Sequence, residues 1–525
     1  MGYLAAIEVD KRQKIILAAD KMKEMLGGSW TIADTKTVAE KILQQCPRVN
    51  HIKIASGEIW VRSDDLKALE DCLWAFREEI VNNFGLPCSF AVIVEEDDLQ
   101  ATGKRLNDLM TEVKNRKCGE TGNLSLPWFA PCQIQPSESA NHWIPAWADH
   151  DQHKRRSLIS ESSLNRLKRG FSTLDNYYNR FKEIIEATGL KLPESQPKSL
   201  NDFASSEEGS YLALLRFDAD KSSDFFKAIH LPNEDGKPCW WPLTKCSVAF
   251  GAYLDMALKT AFEETIRPLK FKNSDKIPIS PLISEGEDFL IVLRKDLALP
   301  FTFQLLKTYS ELANSDRSHL KQAASAFQNA DDKPFVFSLS GTVVFARSGY
   351  PFSVLSELST DLEHSAKNHR ASLLTPQPCL DVYWLESTAR EDPIIERRNS
   401  LTYQLEGIFY SLNTRPWTLT ETEAMWKAAA NLNVPRGKRH QLLAGLRSGE
   451  PLASFHFQRW MQHLSFDQRN TVSEATKKLE EAGLWDPRTE PWITRSIDGT
   501  KYQCCPLLEL HELCEIVGSV EEPDA

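Results

Sequence analysis

An apolar strand that ends in carboxylates is the feature that most constrains how this chain can fold. Residues 211–217 are apolar except for Arg216, and Asp218 and Asp220 follow them directly. A second apolar stretch, residues 280–293, is interrupted by an acidic turn at residues 285–288, which predicts two strands joined by a hairpin. Neighbouring strands of one sheet can bring a strand-end acid and an acidic hairpin tip together. The two patterns therefore predict a sheet with carboxylates clustered at one end.

The acidic turn consists of Glu285, Gly286, Glu287 and Asp288. Gly286 permits the left-handed backbone that a hairpin tip needs. Like charges beside an apolar strand are unfavourable unless cations or water compensate them, and carboxylates together with substrate phosphates are suitable ligands for Mg²⁺. Two such ions can stabilise the attacking and leaving oxygens of a phosphoryl transfer. The pattern therefore indicates a nucleotidyl-transferring palm.

Each of these patterns also has a purely structural interpretation. Asp218 and Asp220 can cap the helix that follows the strand, and residues 285–288 can form a solvated polar turn. A further charged residue, Lys367, lies near the end of a predicted helix over residues 351–369. As a point charge Lys367 can reach a triphosphate, or it can be an ordinary solvated lysine.

The charge of the chain limits which partners it can bind on its own. Its net charge is −11, so contact with nucleic acid has to come from local basic patches or from partner subunits. The amino terminus lacks the basic start and long apolar core of a signal peptide, and no apolar run approaches the roughly 18 residues that cross a bilayer. The 11 cysteines are scattered without a regular framework, as expected of reduced thiols in a cytoplasm. These features predict a cytoplasmic protein without a membrane partner.

The order of predicted elements indicates an internal duplication in an α+β fold. Residues 1–115 have the order β-α-β-β-α-β of a ferredoxin-like domain, and residues 211–390 repeat it on a larger scale. Between them, residues 116–210 predict a helical insert and a linker. Residues 391–525 predict a mostly helical domain with a terminal hairpin at residues 497–500, where Asp-Gly is a strong turn signal.

These residues resemble the CRISPR polymerase family, the large palm-containing subunit of type III CRISPR effector complexes. The resemblance covers nearly the whole chain. In it Asp218 and Asp220 match the first-strand acids of the catalytic palm, and residues 285–288 stand where the family has Gly-Gly-Asp-Asp. Other segments are similar to the family's degenerate first palm, to the strand and helix that follow the hairpin, and to its carboxy-terminal helical domain: residues 3–30, 337–341, 350–367, 415–417 and 435–440.

The resemblance implies that the second palm polymerises ATP into cyclic oligoadenylates when the complex binds target RNA. Asp218, Glu287 and Asp288 would be the catalytic residues and would hold Mg²⁺ or Mn²⁺. The nucleotide would contact the turn after the first strand, where a helix begins, as well as the hairpin glycine and the helical lysine: Ala219, Asp220, Ser222, Ser223, Gly286 and Lys367. The implied partners are the other subunits of a type III complex, with guide RNA and target RNA bound through that complex.

The chain departs from the family pattern in the hairpin, where Glu285 replaces the first glycine and Glu287 replaces an aspartate. The added charge and the stiffer turn leave a second hypothesis open, a catalytically silent scaffold that organises the guide-RNA complex. A third hypothesis is a diguanylate-cyclase-like enzyme of the GGDEF type, whose hairpin also mixes glycine with glutamate and aspartate. The doubled palm and the helical tail argue against it, because such cyclases work as homodimers of one domain.

The family's accessory modules are not expected in this chain. The histidine–aspartate nuclease domain is expected to be absent, because the sequence begins at the first palm. Between the palms, Cys118 and Cys132 lack the spacing of a zinc ribbon, so a structural zinc there is not the favoured interpretation. The basic stretch at residues 154–180 either contacts guide RNA or a neighbouring subunit, or is a solvated helix face.

Overall fold

The structure, a computed structural model, describes most of the chain. The described residues are 2–10, 16, 22–55, 57–116, 142–145, 156–159, 199–203, 211–222, 225, 241–269, 277–285, 288–325, 335–385, 393–446, 450–497 and 500–517.

Strands and helices alternate along these residues. The strands are β1 (Tyr3–Val9), β2 (Asn50–Ala55), β3 (Glu58–Ser63), β4 (Cys88–Val94), β5 (His142–Pro145), β6 (Arg156–Ile159), β7 (Tyr211–Ala219), β8 (Ile279–Glu285), β9 (Asp288–Arg294), β10 (Leu339–Arg347), β11 (Cys379–Trp384), β12 (Thr402–Leu405), β13 (Ile408–Ser411), β14 (Trp417–Thr418), β15 (Ile493–Ile497) and β16 (Thr500–Cys504). The helices are α1 (Met22–Gln45), α2 (Leu66–Glu78), α3 (Leu99–Arg116), α4 (Trp241–Thr265), α5 (Lys295–Ala313), α6 (His319–Ser325), α7 (Phe352–Ser372), α8 (Pro393–Leu401), α9 (Leu419–Asn431), α10 (Arg436–Gly445), α11 (Glu450–Gln462), α12 (Phe466–Glu481) and α13 (Leu507–Val517). This composition confirms the α+β class.

The first sheet has the strand order β2-β3-β1-β4 and is antiparallel throughout. Gly57 turns the β2–β3 hairpin with a φ of 76°, in the left-handed region that glycine adopts without a steric cost. Helix α2 begins at Asp65, whose carboxylate accepts a hydrogen bond from the N–H of Ala68, and it buries Leu73 and Phe76 against the sheet. Local capping and apolar spacing thus determine where this helix begins and which face it buries.

The second sheet has the order β14-β11-β10-β7-β9-β8. Its four strands β10, β7, β9 and β8 repeat the order of β4, β1, β3 and β2 in the first sheet, and β11 extends the sheet by pairing parallel to β10. Strand β7 is central and covered on both faces: Leu215 and Phe217 face one apolar cluster, and Leu212 and Leu214 face another. A strand buried on both faces needs a nearly continuous apolar sequence, which is why residues 211–217 carry one.

The two sheets share a hydrophobic core. One apolar cluster contains Ile7 and Val61 of the first sheet together with Leu214 and Val292 of the second, with Leu355 of α7 packed among them. The opposite face of the second sheet packs against α4, α5 and the carboxy-terminal helices. Helix α7 packs against the second sheet within this shared core. The division into residues 1–115, 116–210, 211–390 and 391–525 stays a prediction.

Within residues 116–210, strands β5 and β6 form an antiparallel hairpin. The prediction of a basic helix is therefore wrong at residues 156–159, where pairing with β5 holds the backbone extended and overrides the local helical pattern. The rest of that basic stretch lies outside the described residues, as do Cys118 and Cys132.

The carboxy-terminal part contains α9–α13 and a sheet of order β12-β13-β16-β15. The predicted terminal hairpin is confirmed, because Ile497 pairs with Thr500. The buried Arg415 attaches this part to the second sheet. It donates from Nε to Glu509 Oε1 over 2.8 Å within the carboxy-terminal part, and from Nη1 to the carbonyl oxygen of Val382 in β11 over 2.9 Å. Along the described part of the chain no helix is both long and apolar enough to cross a bilayer.

Candidate active site at the end of the second sheet

The register of three strands places Asp218 and Asp288 at the same end of the second sheet. Phe217 on β7 pairs with Phe289 on β9, and the two aspartates come next on these strands, on the same side of that pair. Glu285, the last residue of β8, pairs with Asp288, the first residue of β9. Directly opposed residues in antiparallel strands have Cα atoms about 4.5–5.5 Å apart. The backbone thus brings the strand-end acid and the hairpin tip together. Gly286 and Glu287, and the side chains of residues 284–288, lie outside the described residues.

The carboxylate of Asp218 lies at the rim of the fold, with 22% of its side chain exposed. Its Oδ1 accepts a hydrogen bond from the N–H of Ala219 over 2.8 Å, and its Oδ2 accepts one from the ammonium group of Lys367 on α7. The sequence-predicted lysine is therefore at the same site as the sequence-predicted aspartate, and here it neutralises the aspartate.

Two residues that the sequence analysis missed complete this arrangement. Glu363, one turn before Lys367 on α7, accepts a hydrogen bond from its Nζ over 2.9 Å. The other oxygen of Glu363 accepts one from Arg216 Nε over 2.7 Å, and both of these side chains are buried. Two sequence features could have indicated these residues. Arg216 interrupts an otherwise apolar strand, and Glu363 and Lys367 have the spacing of four that is typical of an ion pair on one helix.

The charge state of Lys367 follows from these contacts. Burial by itself lowers the pKa of an ammonium group, but the attraction of Asp218 and Glu363 outweighs it and raises the pKa of Lys367 above its ordinary value. The residue is therefore a cation at neutral pH, held between two carboxylates.

Asp220 has different surroundings from Asp218, although it was predicted to contact the nucleotide. Its buried carboxylate accepts hydrogen bonds from Ser338 Oγ over 2.5 Å and from Ser340 Oγ over 2.8 Å, and Arg370 Nε lies 3.1 Å from it. Its N–H donates to the carbonyl oxygen of Ser338 over 2.9 Å. Burial raises the pKa of Asp220 despite the nearby Arg370 and the two hydroxyl donors. Both polar groups of Asp220 are thus engaged inside the protein, where they join the end of β7 to β10.

The remaining predicted nucleotide contacts lie on the turn that follows. Ala219 and Ser222 are buried, and the N–H of Ala219 is directed at Asp218. Lys221 between them is exposed and has a φ of 55°. Ser223 lies outside the described residues.

Among the described side chains, no group of three or more His, Cys, Asp or Glu is placed to hold a metal ion, and the acids of the hairpin tip are not among those side chains. The carboxylate of Asp218 has the oxygen donors that Mg²⁺ prefers, and it lies at the open end of the sheet. The chemistry of this donor fits a divalent cation once the ammonium group of Lys367 moves aside.

Solved structures resemble the chain in fold along almost its entire length. A Csm1–Csm4 cassette in complex with cA4 matches over 98% of this chain and 70% of its own, with a TM-score of 0.53 and 11% sequence identity. Csm1 from T. onnurineus matches over 98% of this chain and 69% of its own, with a TM-score of 0.53 and 12% identity. A Csm1–Csm4 cassette in complex with one ATP matches over 98% and 70%, with a TM-score of 0.50 and 12% identity.

The likeness to these proteins was found by comparing structures and not by comparing sequences. No protein-family model matches the chain, and no curated protein matches it in sequence. At 11–12% identity the likeness is one of fold. The chain therefore has the fold of Csm1.

Proposed function

We propose that this protein is the large subunit of a type III CRISPR RNA-guided effector complex, and that it polymerises ATP into cyclic oligoadenylates when the complex binds target RNA. The observation that carries the proposal is the fold likeness over 98% of the chain to Csm1 in cassettes crystallised with cA4 and with one ATP. In this proposal the two sheets are the cores of two ferredoxin-like palm domains, residues 1–115 and 211–390. The shared strand order of the sheets supports that assignment.

The proposed site is the end of the second sheet. Asp218, Glu287 and Asp288 would hold Mg²⁺ or Mn²⁺, which when bound would stabilise negative charge on the reacting phosphate. The turn after β7 and the hairpin glycine would line the nucleotide, and Lys367 would offer its ammonium group to the triphosphate. Fixed charges of this kind stabilise a phosphoryl transfer by position and electrostatics.

The proposed partners follow from the same likeness. Csm1 occurs with Csm4 in the matched cassettes, so a subunit of that kind is the first partner to test. Guide RNA and target RNA would bind through the assembled complex, because the net charge of −11 gives this chain no general affinity for nucleic acid. The proposed location is the cytoplasm.

A catalytically silent scaffold is the second candidate function. The observation that favours it is the ion pair between Lys367 and Asp218, which occupies a proposed metal ligand. The glutamates at positions 285 and 287 favour it as well. A single-domain cyclase of the GGDEF type is not supported by a fold likeness that extends over 98% of the chain.

A product assay separates these functions. The complex is assembled with guide and target RNA, supplied with Mg²⁺ or Mn²⁺ and labelled ATP or GTP, and the products are resolved. The enzyme hypothesis predicts adenylate rings that disappear in Asp288→Ala and persist in Asp316→Ala. Asp316 is an exposed residue of the surface loop before α6, where it pairs with Lys321 of that helix. RNA binding without any product from the wild-type complex would establish the scaffold instead.

A further inference from the structure

We propose that Glu363 is a positioning residue, which keeps Lys367 at the nucleotide site when Asp218 binds the metal ion. This inference rests on the proposed function and assigns a part of its site to the buried Arg216–Glu363 pair. Glu363 would not contact the nucleotide; it would act through the lysine.

The two carboxylates that hold Lys367 are not equivalent. Asp218 lies at the rim, with 22% of its side chain exposed, whereas 6% of the Glu363 side chain is exposed. A cation or a phosphate entering at the end of the sheet meets Asp218 first. When a cation binds an oxygen of Asp218, the Lys367 ammonium group keeps its ion pair with Glu363 Oε1, 2.9 Å away.

Arg216 fixes Glu363 in place. Its Nε donates to Glu363 Oε2 over 2.7 Å, so the two oxygens of Glu363 have different partners. Arg216 precedes Asp218 by two residues on β7, so both side chains lie on the face of the sheet that α7 covers. Rotation of Glu363 away from Arg216 would break an ion pair between two buried side chains, which is unfavourable. Strand β7 therefore carries both Asp218, the proposed metal ligand, and Arg216, which holds Glu363 in place beside Lys367.

The first sheet provides an internal comparison. Lys114 follows the end of β4 at Val94 by 20 residues, and Lys367 follows the end of β10 at Arg347 by 20 residues. In the first sheet the lysine pairs over 2.5 Å with Glu8, which lies opposite Ser89 of β4 as Asp218 lies opposite Ser340 of β10, so this pair is the counterpart of Lys367–Asp218.

The positions that correspond to Arg216 and Glu363 are occupied by Ala6 and Met110. Asp10 accepts a hydrogen bond from Ser89 Oγ over 3.1 Å, as its counterpart Asp220 does from Ser340. The first sheet thus keeps the counterpart of the Lys367–Asp218 pair but has alanine and methionine at the positions of Arg216 and Glu363. The Arg216–Glu363 arrangement belongs to the second sheet, where the proposed catalytic acids lie.

The test measures binding without turnover. The assembled complex is titrated calorimetrically, at several Mg²⁺ concentrations, with an ATP analogue in which a methylene group replaces the oxygen between the α- and β-phosphates. Glu363→Gln is expected to weaken binding of the analogue about tenfold, and Lys367→Ala by a similar factor. In the double variant the two effects should not add, because Glu363 acts through Lys367. With ATP itself, Glu363→Gln should raise KM and leave kcat largely unchanged.

A matched control separates positioning from stability. Asp381→Asn breaks the buried Arg397–Asp381 pair in β11 of the same sheet, whose atoms are 2.7 Å apart. It should lower the melting temperature as Glu363→Gln does, but leave the affinity for the analogue unchanged. If Glu363→Gln does not fold, the double variant Arg216→Met, Glu363→Gln, which removes both charges of the buried pair, is used in its place.

Additive effects of Glu363→Gln and Lys367→Ala would overturn the inference, as would an equal loss of affinity in Asp381→Asn. A wild-type complex that does not bind the analogue would overturn it too. A wild-type complex that binds the analogue with the predicted coupling but makes no rings would contradict the proposed synthesis and leave the positioning role intact.

Discussion

Asp218 and Asp220 lie two residues apart, and replacing each with alanine should have opposite consequences. Asp218 is at the rim and paired with Lys367, which retains Glu363 as a second partner when the aspartate is removed. Asp220 is enclosed, with 2% of its side chain exposed, and its partner Arg370 is itself 6% exposed. The first variant should lose ring synthesis and keep its stability, and the second should lose stability.

The magnitudes follow from the surroundings of each ion pair. A partly exposed pair contributes about 0–1 kcal/mol, so Asp218→Ala should lower the free energy of unfolding by no more than about 1 kcal/mol. Breaking a buried pair costs about 3–5 kcal/mol, because the remaining charge stays buried without compensation. Asp220→Ala also removes the acceptor for Ser338 and Ser340, which places it at the upper end of that range.

Thermal melting of the two variants measures the difference directly. Each kcal/mol corresponds to about 2–4 °C for a unit of 150–250 residues, so the melting temperature should fall by about 10–20 °C in Asp220→Ala and by less than about 4 °C in Asp218→Ala. Asp220→Asn keeps an oxygen acceptor for Ser338 and Ser340, so its melting temperature should lie between those of Asp218→Ala and Asp220→Ala. A melting temperature that drops equally in Asp218→Ala and Asp220→Ala would refute the placement of Asp218 at a rim.

Other perturbations test the surrounding fold by the same melting assay. In Gly341→Ala the new methyl group would collide with the backbone carbonyl oxygen of Arg216 and push β10 from β7, so a loss of about 1–3 kcal/mol is expected; an unchanged melting temperature would contradict the close approach of these strands. Thr418→Ala removes the capping box in which Thr418 accepts from the N–H of Glu421 and should cost about 1 kcal/mol, while Thr418→Ser should cost little. Burial, with the nearby Arg439 and His440, lowers the pKa of His511 to about 4. The unfolded chain therefore binds more protons between about pH 6.5 and 4, so wild-type stability should fall by about 2 kcal/mol from pH 7 to pH 5. His511→Gln should lose that slope, and an identical pH dependence in both proteins would disprove the assignment.

Local sequence patterns were sufficient for much of the second sheet. The hairpin of β8 and β9 followed from two apolar runs around a glycine, because a hairpin pairs residues close in sequence. The acidic ends of β7 and β9 meet because antiparallel pairing of apolar strands leaves the flanking acids at one end. The same reasoning gave the β15–β16 hairpin. It did not give β6, where pairing with β5 decides the conformation.

The role of each charged side chain required the tertiary structure. Asp218 and Asp220 are separated by one residue, so strand alternation assigns them to the same face, yet one is exposed at the rim and the other enclosed. Their surroundings differ because of two elements. At the start of β10, Ser338 and Ser340 donate hydrogen bonds to Asp220. Helix α7 pairs Lys367 with Asp218 and Arg370 with Asp220.

Contacts across such distances in sequence have no local signature. Lys367 and Asp218 are 149 residues apart, and Arg216 and Glu363 are 147 apart. Apolar spacing and turn residues are sufficient to predict strands and where their acids emerge, because these depend on neighbours along the chain. Which acid faces solvent, and which cation compensates it, is settled only when a helix from far along the sequence packs onto the sheet and buries some charges but not others.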